Sequence, residues 1–229
     1  RFTNKAYEDW FDAKVEGRRI GQVLGEAAYE KVSKYIDKAL SGETVNYETT
    51  IPYSSGERFV NATYVPDFGA AGQVKGFFAL VQDITERRQT EEELRKWADA
   101  FEGCAHGIAI GDPATHRIVV CNSAFANMLN RSADEIIGSA ILSIYAPADH
   151  EHVRQNIEKA DQIGHVRYEA HMVRRDGSVI PVQMDLVSVL GDDGEIMYRV
   201  ATAQDISERK QAEAALVDSI TQFRTLFEA

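Results

Sequence analysis

An internal repeat constrains this chain of 229 residues more than any other feature of its sequence. The segment Asp83–Gln89 (DITERRQ) recurs 122 positions later as Asp205–Gln211 (DISERKQ). A second segment, from Phe2 to Tyr7, recurs 118 positions later, from Val120 to Phe125. Self-similar segments that return in the same order indicate tandem copies of one structural unit. We therefore predict two domains of one fold, which differ in length by about four residues of loop.

The second copy has the fuller set of elements. Alternating apolar residues between turn signals predict five strands, at residues 107–111, 117–121, 165–174, 178–189 and 196–205. Asn122 is expected to cap a short helix, and Pro147 to open a longer helix that stops at Gly164. Two strands, then helices, then three strands joined by hairpins predict the α+β class. Each copy should be one antiparallel sheet covered by helices on one face.

The first copy repeats only the later part of this order. Helices are predicted at residues 4–11 and 25–40, and strands at 44–53, 57–66 and 74–83. The first copy has no counterpart of the strand at 107–110. We therefore expect its five-stranded sheet to lack the first strand. The predicted boundaries are a first domain at 1–85, a connecting helix at 86–104, a second domain at 105–207 and a final helix at 208–229.

The two helical segments that follow the domains carry apolar stripes. Leu94, Trp97 and Phe101 are spaced by three and four residues in the first segment. The second segment has the same rhythm at Leu216, Ile220, Phe223 and Phe227. Neither segment can bury such a stripe by itself, so we expect each to pair with the same helix of a second chain. The alternative is a surface helix that folds onto its own sheet.

Charge and cysteine content exclude several classes of partner. Lys and Arg number 25 against 36 Asp and Glu, a formal net charge of −11. This negative field disfavours nucleic acid and direct contact with an anionic membrane surface. Cys104 and Cys121 cannot form a disulfide framework, and no zinc ligand set accompanies them. Reduced thiols and the lack of a signal peptide predict a cytoplasmic location, which includes the cytoplasmic part of a membrane-anchored sensor.

Three sequence features resemble the PAS domains of bacterial sensor proteins. They are the Asn-x-Ala-aromatic pattern at Asn4 and Asn122, the Arg175-Asp176-Gly177-Ser178 hairpin, and the Asp-Ile-Thr/Ser-Glu-Arg segments at Asp83 and Asp205. The resemblance covers nearly the whole chain. It implies a sensory region that binds a small ligand or cofactor between sheet and long helix, forms a homodimer, and relays a signal to a downstream output domain. That domain would be a histidine kinase or a diguanylate cyclase; no catalytic residues are expected within this chain.

Candidate pocket residues follow from strand alternation. In the second copy, Val182, Met184 and Leu186 should face the core together with Ala170 and Met172, either as pocket lining or as plain packing. In the first copy we expect the equivalent face to carry Asn61, Thr63, Phe77 and Ala79. Buried Asn61 and Thr63 would need polar partners, which makes the first copy slightly the better place for a polar ligand.

No cofactor or metal is expected, although an unidentified small molecule remains open. In haem-binding PAS domains the iron ligand lies on the long helix, and Asp149 occupies the matching position, one residue before His150. The flavin photosensors of the family need a cysteine where this chain reads Gly138-Ser139-Ala140-Ile141-Leu142. PAS domains that bind flavin non-covalently usually have a tryptophan before the third strand, and the nearest aromatic residue in this chain is Tyr168. Haem and flavin are therefore both disfavoured.

The junction between each last strand and the helix that follows is the predicted relay. Asp83 and Asp205 can accept hydrogen bonds from the first amides of that helix, and Thr85 and Ser207 can offer a second cap. Two functions stay open. The chain is either a ligand-sensing module, or a ligand-free relay and dimerisation spacer or protein-interaction module.

Overall fold

The computed structural model describes Trp10, residues 15–53 and residues 56–227, with side chains up to residue 221. It divides into two compact units, Arg1–Lys96 (unit 1) and Trp97–Ala229 (unit 2). In chain order the elements are α1 Ile20–Leu24, α2 Glu26–Leu40, β1 Val45–Tyr53, β2 Gly56–Phe68, β3 Val74–Asp83, α3 Thr85–Glu102, β4 Gly107–Asp112, β5 Arg117–Cys121, α4 Ser123–Met128, α5 Ala133–Ile136, α6 His150–Ile163, β6 His165–Val173, β7 Val179–Leu190, β8 Ile196–Asp205 and α7 Ser207–Phe227.

Unit 2 has the predicted α+β architecture. Its five strands form one antiparallel sheet in the order β5-β4-β8-β7-β6. Two short 3₁₀ turns, Ile141–Ile144 and Pro147–Asp149, precede the long helix α6. That helix buries Val153, Ile157 and Ala160 against the sheet, and it ends at Gly164, whose φ of 86° suits glycine. The predicted fold class is confirmed.

Asn122 holds the entry to the helical layer together. It is fully buried, and its Oδ1 accepts hydrogen bonds from the Phe125 amide at 2.9 Å and the Ile108 amide at 2.8 Å. Its Nδ2 donates to the carbonyls of Phe101 and His106, both at 3.0 Å. A buried amide side chain is tolerated only when its donors and acceptors are paired, and here both ends are. The predicted cap of α4 is therefore also the tie between α4, β4 and the end of α3.

Unit 1 repeats the later half of this fold. Its sheet has the antiparallel order β1-β2-β3. Helix α2 packs on it through a stripe at spacings of four, four and three residues: Ala28, Val32, Ile36 and Ala39. The predicted helix at 4–11 lies outside the described residues except for Trp10. We predicted a five-stranded sheet that lacks its first strand. The described residues of unit 1 form three strands. The counterpart of the second strand, β5, would fall at residue 3 and before, outside the described residues.

None of the helices in the described part of the chain is both long and apolar enough to cross a membrane.

Candidate functional site

Unit 2 has a cavity of about 30 Å³, partly open to solvent, between the sheet and α6. The volume suits two or three water-sized atoms, because a single water needs roughly 10–15 Å³ measured in this way. Most of the lining is hydrocarbon, including Ile118, Phe125, Ile144, Ile157 and Leu186. Three polar side chains also border the cavity: Tyr145, Tyr168 and Arg199.

Arg199 is a buried cation on the inner face of β8, only 5% exposed. Its Nε donates to Asp161 Oδ1 at 2.8 Å and its Nη2 to Asp161 Oδ2 at 2.6 Å, a two-pronged pair with the last turn of α6. Ser188 of β7 donates to the same carboxylate at 2.7 Å. Burial would raise the pKa of Asp161, but the hydrogen bonds from Arg199 and Ser188 outweigh it and lower that pKa.

Two tyrosines lie at the same cavity. Tyr145 follows the first 3₁₀ turn and Tyr168 lies on β6, and both side chains are buried. Burial raises both pKa values, that of Tyr145 the more strongly. The neighbouring Tyr168 also raises the pKa of Tyr145, whereas Tyr145 partly offsets the rise in the pKa of Tyr168. Both phenols are therefore neutral donors at physiological pH.

The predicted core-facing residues of unit 2 are buried as expected. Ala170, Met172, Val182, Met184 and Leu186 are all at most 5% exposed. Met184 and Leu186 also border the cavity. Whether any of the five contacts a ligand stays a prediction.

The expected inner face of β2 in unit 1 is wrong by one residue. Val60, Ala62 and Tyr64 are buried, so Asn61 and Thr63 lie on the opposite face. There Asn46 donates from Nδ2 to Asn61 Oδ1 at 3.0 Å and to Thr63 Oγ1 at 2.7 Å. A slip of one position moves every side chain of a strand to the other face.

The prediction for the neighbouring strand β3 has the correct face. Phe77 and Ala79 pair with Pro66 and Tyr64, on the core side of the sheet. Phe77 packs against the core, whereas Ala79 is exposed. Sequence reasoning missed the tyrosines of this interior. Tyr47 donates to the Tyr64 hydroxyl at 2.5 Å and stacks on Tyr35 with ring centroids 3.8 Å apart.

The exit junction of unit 1 is built around Asp83. Its Oδ1 accepts from the Thr85 amide at 2.9 Å and from the Thr85 hydroxyl at 2.6 Å, and Arg58 Nη1 binds its Oδ2 at 2.5 Å. Thr85 Oγ1 in turn accepts from the Phe59 amide at 2.9 Å. The Thr85 hydroxyl therefore bonds to β2 rather than capping the helix as predicted. Burial would raise the pKa of Asp83, but the bonds from Thr85 and Arg58 lower it.

Unit 2 repeats this junction with fewer contacts. Asp205 Oδ1 accepts from the Ser207 amide at 2.8 Å, and Arg174 Nη2 lies 3.4 Å from its Oδ2. The backbone repeats as well, because Ile84 donates to the Phe59 carbonyl and Ile206 to the Pro181 carbonyl. The predicted acceptance of a helix amide by both aspartates is therefore seen in the geometry. Their part in a relay stays a prediction.

An ion pair fastens the first turn of each exit helix to the edge strand of its own sheet. In unit 1, Arg88 of α3 binds Glu48 of β1. In unit 2, Glu169 of β6 binds Lys210 at 2.7 Å and Arg209 at 2.5 Å. The pKa of Glu169 is lowered by the bonds from Lys210 and Arg209, and that of Glu48 by the bond from Arg88. Sequence reasoning did not find these ion pairs.

Most of the described residues in the apolar stripes of the exit helices are exposed. Leu94 is 64% exposed, Trp97 75%, Leu216 62% and Ile220 55%, whereas Phe101 is half-buried. The Phe223 and Phe227 side chains lie outside the described part. The alternative of a helix folded onto its own sheet is wrong for these exposed positions.

The histidines of the long helix make ordinary contacts. His150 Nε2 lies 3.2 Å from the Tyr145 carbonyl, and His152 meets the Tyr168 ring edge to face. Among the described residues, no three side chains of His, Cys, Asp or Glu form a group suited to a metal ion. Burial raises the pKa of Cys121, as in a thiol packed among apolar groups.

A PAS domain family matches residues 105–208, and a PAS fold family matches residues 1–89. The chain belongs to the PAS family and contains two PAS domains in tandem. PAS domains are sensory rather than catalytic modules, so signal sensing is the function that the family supports.

The curated relatives that match this chain are longer than it is. The chain is 26% identical over 221 residues to the C4-dicarboxylate transport sensor protein DctS of Rhodobacter capsulatus, covering 89% of this chain and 33% of that protein. It is 27% identical over 139 residues to the bacterioopsin transcriptional activator of Halobacterium salinarum, covering 59% of this chain and 20% of that protein. A solved PAS domain from Colwellia psychrerythraea is 21% identical with a TM-score of 0.48, over 51% of this chain and 98% of that one. The chain thus spans a third or less of these curated relatives.

Proposed function

We propose that this chain is the dimeric sensing and relay region of a longer cytoplasmic signal-transduction protein. Unit 2 senses a small molecule in its cavity, and the exit helices carry the change to an output domain in the same protein. The observation that carries the proposal is the exit junction, which recurs in both units. In each, an aspartate accepts the first helix amide and a glutamate of the edge strand binds the first helical turn.

The recurrence supports a relay because it couples sheet and helix at two points. The aspartate lies at the end of the last strand, and the glutamate lies two strands away, on β1 or β6. A twist of the sheet on ligand binding would move these two points relative to each other. The helix would then tilt rather than slide, because both contacts act on its first turn.

In a homodimer, the relay would act on a pair of identical helices. Exposed Leu94 and Trp97 on α3, and Leu216 and Ile220 on α7, are large apolar side chains on helices with few neighbours. Burying such stripes against the same helix of a second chain is favourable and fixes a parallel arrangement. A change of tilt at each junction then becomes a change in the helix pair.

A histidine kinase is the output domain that the relatives favour. DctS is a sensor protein by name, and it is matched over most of this chain. A diguanylate cyclase is the second candidate. We propose that the protein binds no haem, flavin or metal. A cavity of about 30 Å³ is far smaller than a haem or a flavin. A Soret band or released flavin in the purified protein would contradict this.

The relay is tested in the full-length parent by breaking and restoring one junction. Glu169→Lys should change the signal output, because it repels Arg209 and Lys210. The charge-swapped variant Glu169→Lys/Arg209→Glu/Lys210→Glu should restore that output. Glu158→Lys, on the exposed side of α6, is the matched control. Output that equals wild type in Glu169→Lys, with the fold intact, would rule out the relay.

A further inference from the structure

We propose that Arg174 is a positioning residue of unit 2, which couples the end of helix α4 to the exit junction at Asp205. This coupling rests on the proposed relay and adds a second route to it. A change at the cavity would reach α7 through the helical layer as well as through the sheet.

Arg174 follows β6 and binds both structures with one guanidinium group. Its Nε donates to the carbonyl of Met128, the last residue of α4, at 3.0 Å. Its Nη2 lies 3.4 Å from Oδ2 of Asp205, the last residue of β8. A guanidinium is planar and rigid, so two acceptors bound to it are held at fixed positions relative to each other. A shift of either acceptor is therefore passed to the other while both contacts are kept.

The end of α4 is a suitable partner for this cation. The last carbonyls of a helix have no acceptor role within the helix, and their partial negative charge favours a basic side chain. The Arg175 amide donates to the next carbonyl, that of Leu129, at 3.0 Å. Two successive residues of the β6–β7 hairpin therefore hold two successive carbonyls at the end of α4.

The hairpin itself is well tied, so Arg174 starts from a fixed backbone. The Arg174 amide donates to the Ser178 carbonyl at 2.8 Å, and the Gly177 amide donates to the Arg174 carbonyl at 3.0 Å. Both Arg174 and Asp205 are about one-third exposed at their side chains. Such an ion pair contributes little to stability. We therefore assign the pair to positioning rather than to stability.

Helix α4 also borders the cavity. Phe125 is buried and lines the cavity about one helical turn before Met128. At the other end, Asp205 accepts a hydrogen bond at 2.8 Å from the amide of Ser207, the first residue of α7. Arg174 thus joins a side chain at the cavity to the exit helix by contacts that do not pass along the sheet.

Unit 1 differs at this point. The position 122 residues before Arg174 is Pro52, which has no cationic side chain. The aspartate of that junction, Asp83, binds Arg58 of the neighbouring strand β2 instead. The cation on the aspartate comes from the sheet in unit 1 and from the hairpin that holds α4 in unit 2. Coupling through this arginine is therefore specific to unit 2.

The test is a double-mutant cycle on the full chain labelled with ¹⁵N. Phe125→Leu alters the cavity side of α4, and the measured quantity is the change that it causes in the amide shift of Ser207. We expect this change in the wild-type background and its loss in Arg174→Met, which binds neither acceptor. A change of equal size in Arg174→Met would overturn the proposal, because the sheet alone would then carry it. No change in either background would equally exclude the coupling. If Phe125→Leu loses its dispersed spectrum, Phe125→Met takes its place.

Two further backgrounds separate bridging from charge and from hairpin stability. Arg174→Lys keeps the charge but not the planar fork, so the change at Ser207 should be lost there too. A full change in Arg174→Lys would contradict the bridging role. Arg175→Met is the matched control, because it removes an ion pair with Glu135 from the same hairpin. It should respond as wild type, and a loss there would assign the effect to the hairpin as a whole. Failure of this coupling leaves the relay itself standing, because the relay is tested separately at Glu169.

Discussion

At the scale of single residues, the polar groups buried in unit 2 set its response to pH. Asp161 has a lowered pKa in the folded chain, because its bonds to Arg199 and Ser188 outweigh burial. A carboxyl group whose pKa is lowered by folding stabilises the fold above its unfolded value of about 3.9. That contribution is lost as the pH falls through the lower, folded value.

We predict that Asp161→Asn lowers the free energy of unfolding of unit 2 at pH 6, and that this loss becomes smaller toward pH 3. The amide cannot titrate, so the variant loses the acid-sensitive part of the stability. Calorimetry at the two pH values measures this. Asp192→Asn, in the exposed turn between β7 and β8, should follow the wild-type profile. A difference that stays constant with pH would contradict the assignment to Asp161.

The residue scale also shows where sequence reasoning fails. Applying the 122-residue offset to Val182, Met184 and Leu186 gives Val60, Ala62 and Tyr64, which are the buried residues of β2. The repeat could therefore have corrected the misplaced Asn61 and Thr63. Arg199 could not have been found in this way. Alternation places it on the inner face, but only the packed structure brings Asp161 of α6 beside it.

At the scale of elements, the strands and helices were predictable because turn residues mark their ends. Glycine with positive φ ends α6 at Gly164 and turns the β6–β7 hairpin at Gly177, and both positions are legible in the sequence. The ion pairs of Glu169 with Arg209 and Lys210 could not be predicted from the sequence. They join positions 40 and 41 residues apart that meet only when α7 begins beside the sheet.

Removing the aspartate at either exit should weaken the start of its helix. We predict that Asp205→Ala lowers the free energy of unfolding by about 0.5–2 kcal/mol, the range for lost helix-capping side chains. Asp83→Ala should lose more, because Asp83 also binds the Thr85 hydroxyl and Arg58. Denaturant titration measures both losses. Asp218→Ala, on the exposed middle of α7, is the control, and a loss equal to that control would exclude a capping role.

The apolar stripes make a second prediction for the elements. Leu216→Glu together with Ile220→Glu should convert the proposed dimer to a monomer, since charges in a helix pair are desolvated and repel one another. Analytical ultracentrifugation at high micromolar concentration reads this out. Gln211→Glu, which adds charge on another side of α7, should leave the dimer intact. A wild-type chain that sediments as a monomer would contradict the prediction outright.

At the scale of the whole molecule, each unit has a hydrophobic core of its own. The core of unit 1 centres on α2 and β2, and the core of unit 2 on α6 and β7. Because the buried residues fall into two clusters, each unit should unfold in its own cooperative transition.

We predict that Met184→Ala and Ile36→Ala shift different calorimetric transitions of the full chain. Each truncates a buried side chain, at a cost of about 2–5 kcal/mol. Met184→Ala should lower only the unit 2 transition, and Ile36→Ala only that of unit 1. A single transition that both variants lower alike would mean that the units unfold together.

The matching junctions at Asp83 and Asp205 bear on how such a chain lengthens and shortens in evolution. Joining Ile84 directly to Ser207 would remove 122 residues and still give Asp83 a following amide and Glu48 a basic partner, Lys210 in place of Arg88. The turn of the outgoing helix would keep its phase, since the residue count from the aspartate is unchanged. Gene duplication or loss can therefore add or delete an entire unit without redesigning the joint that remains.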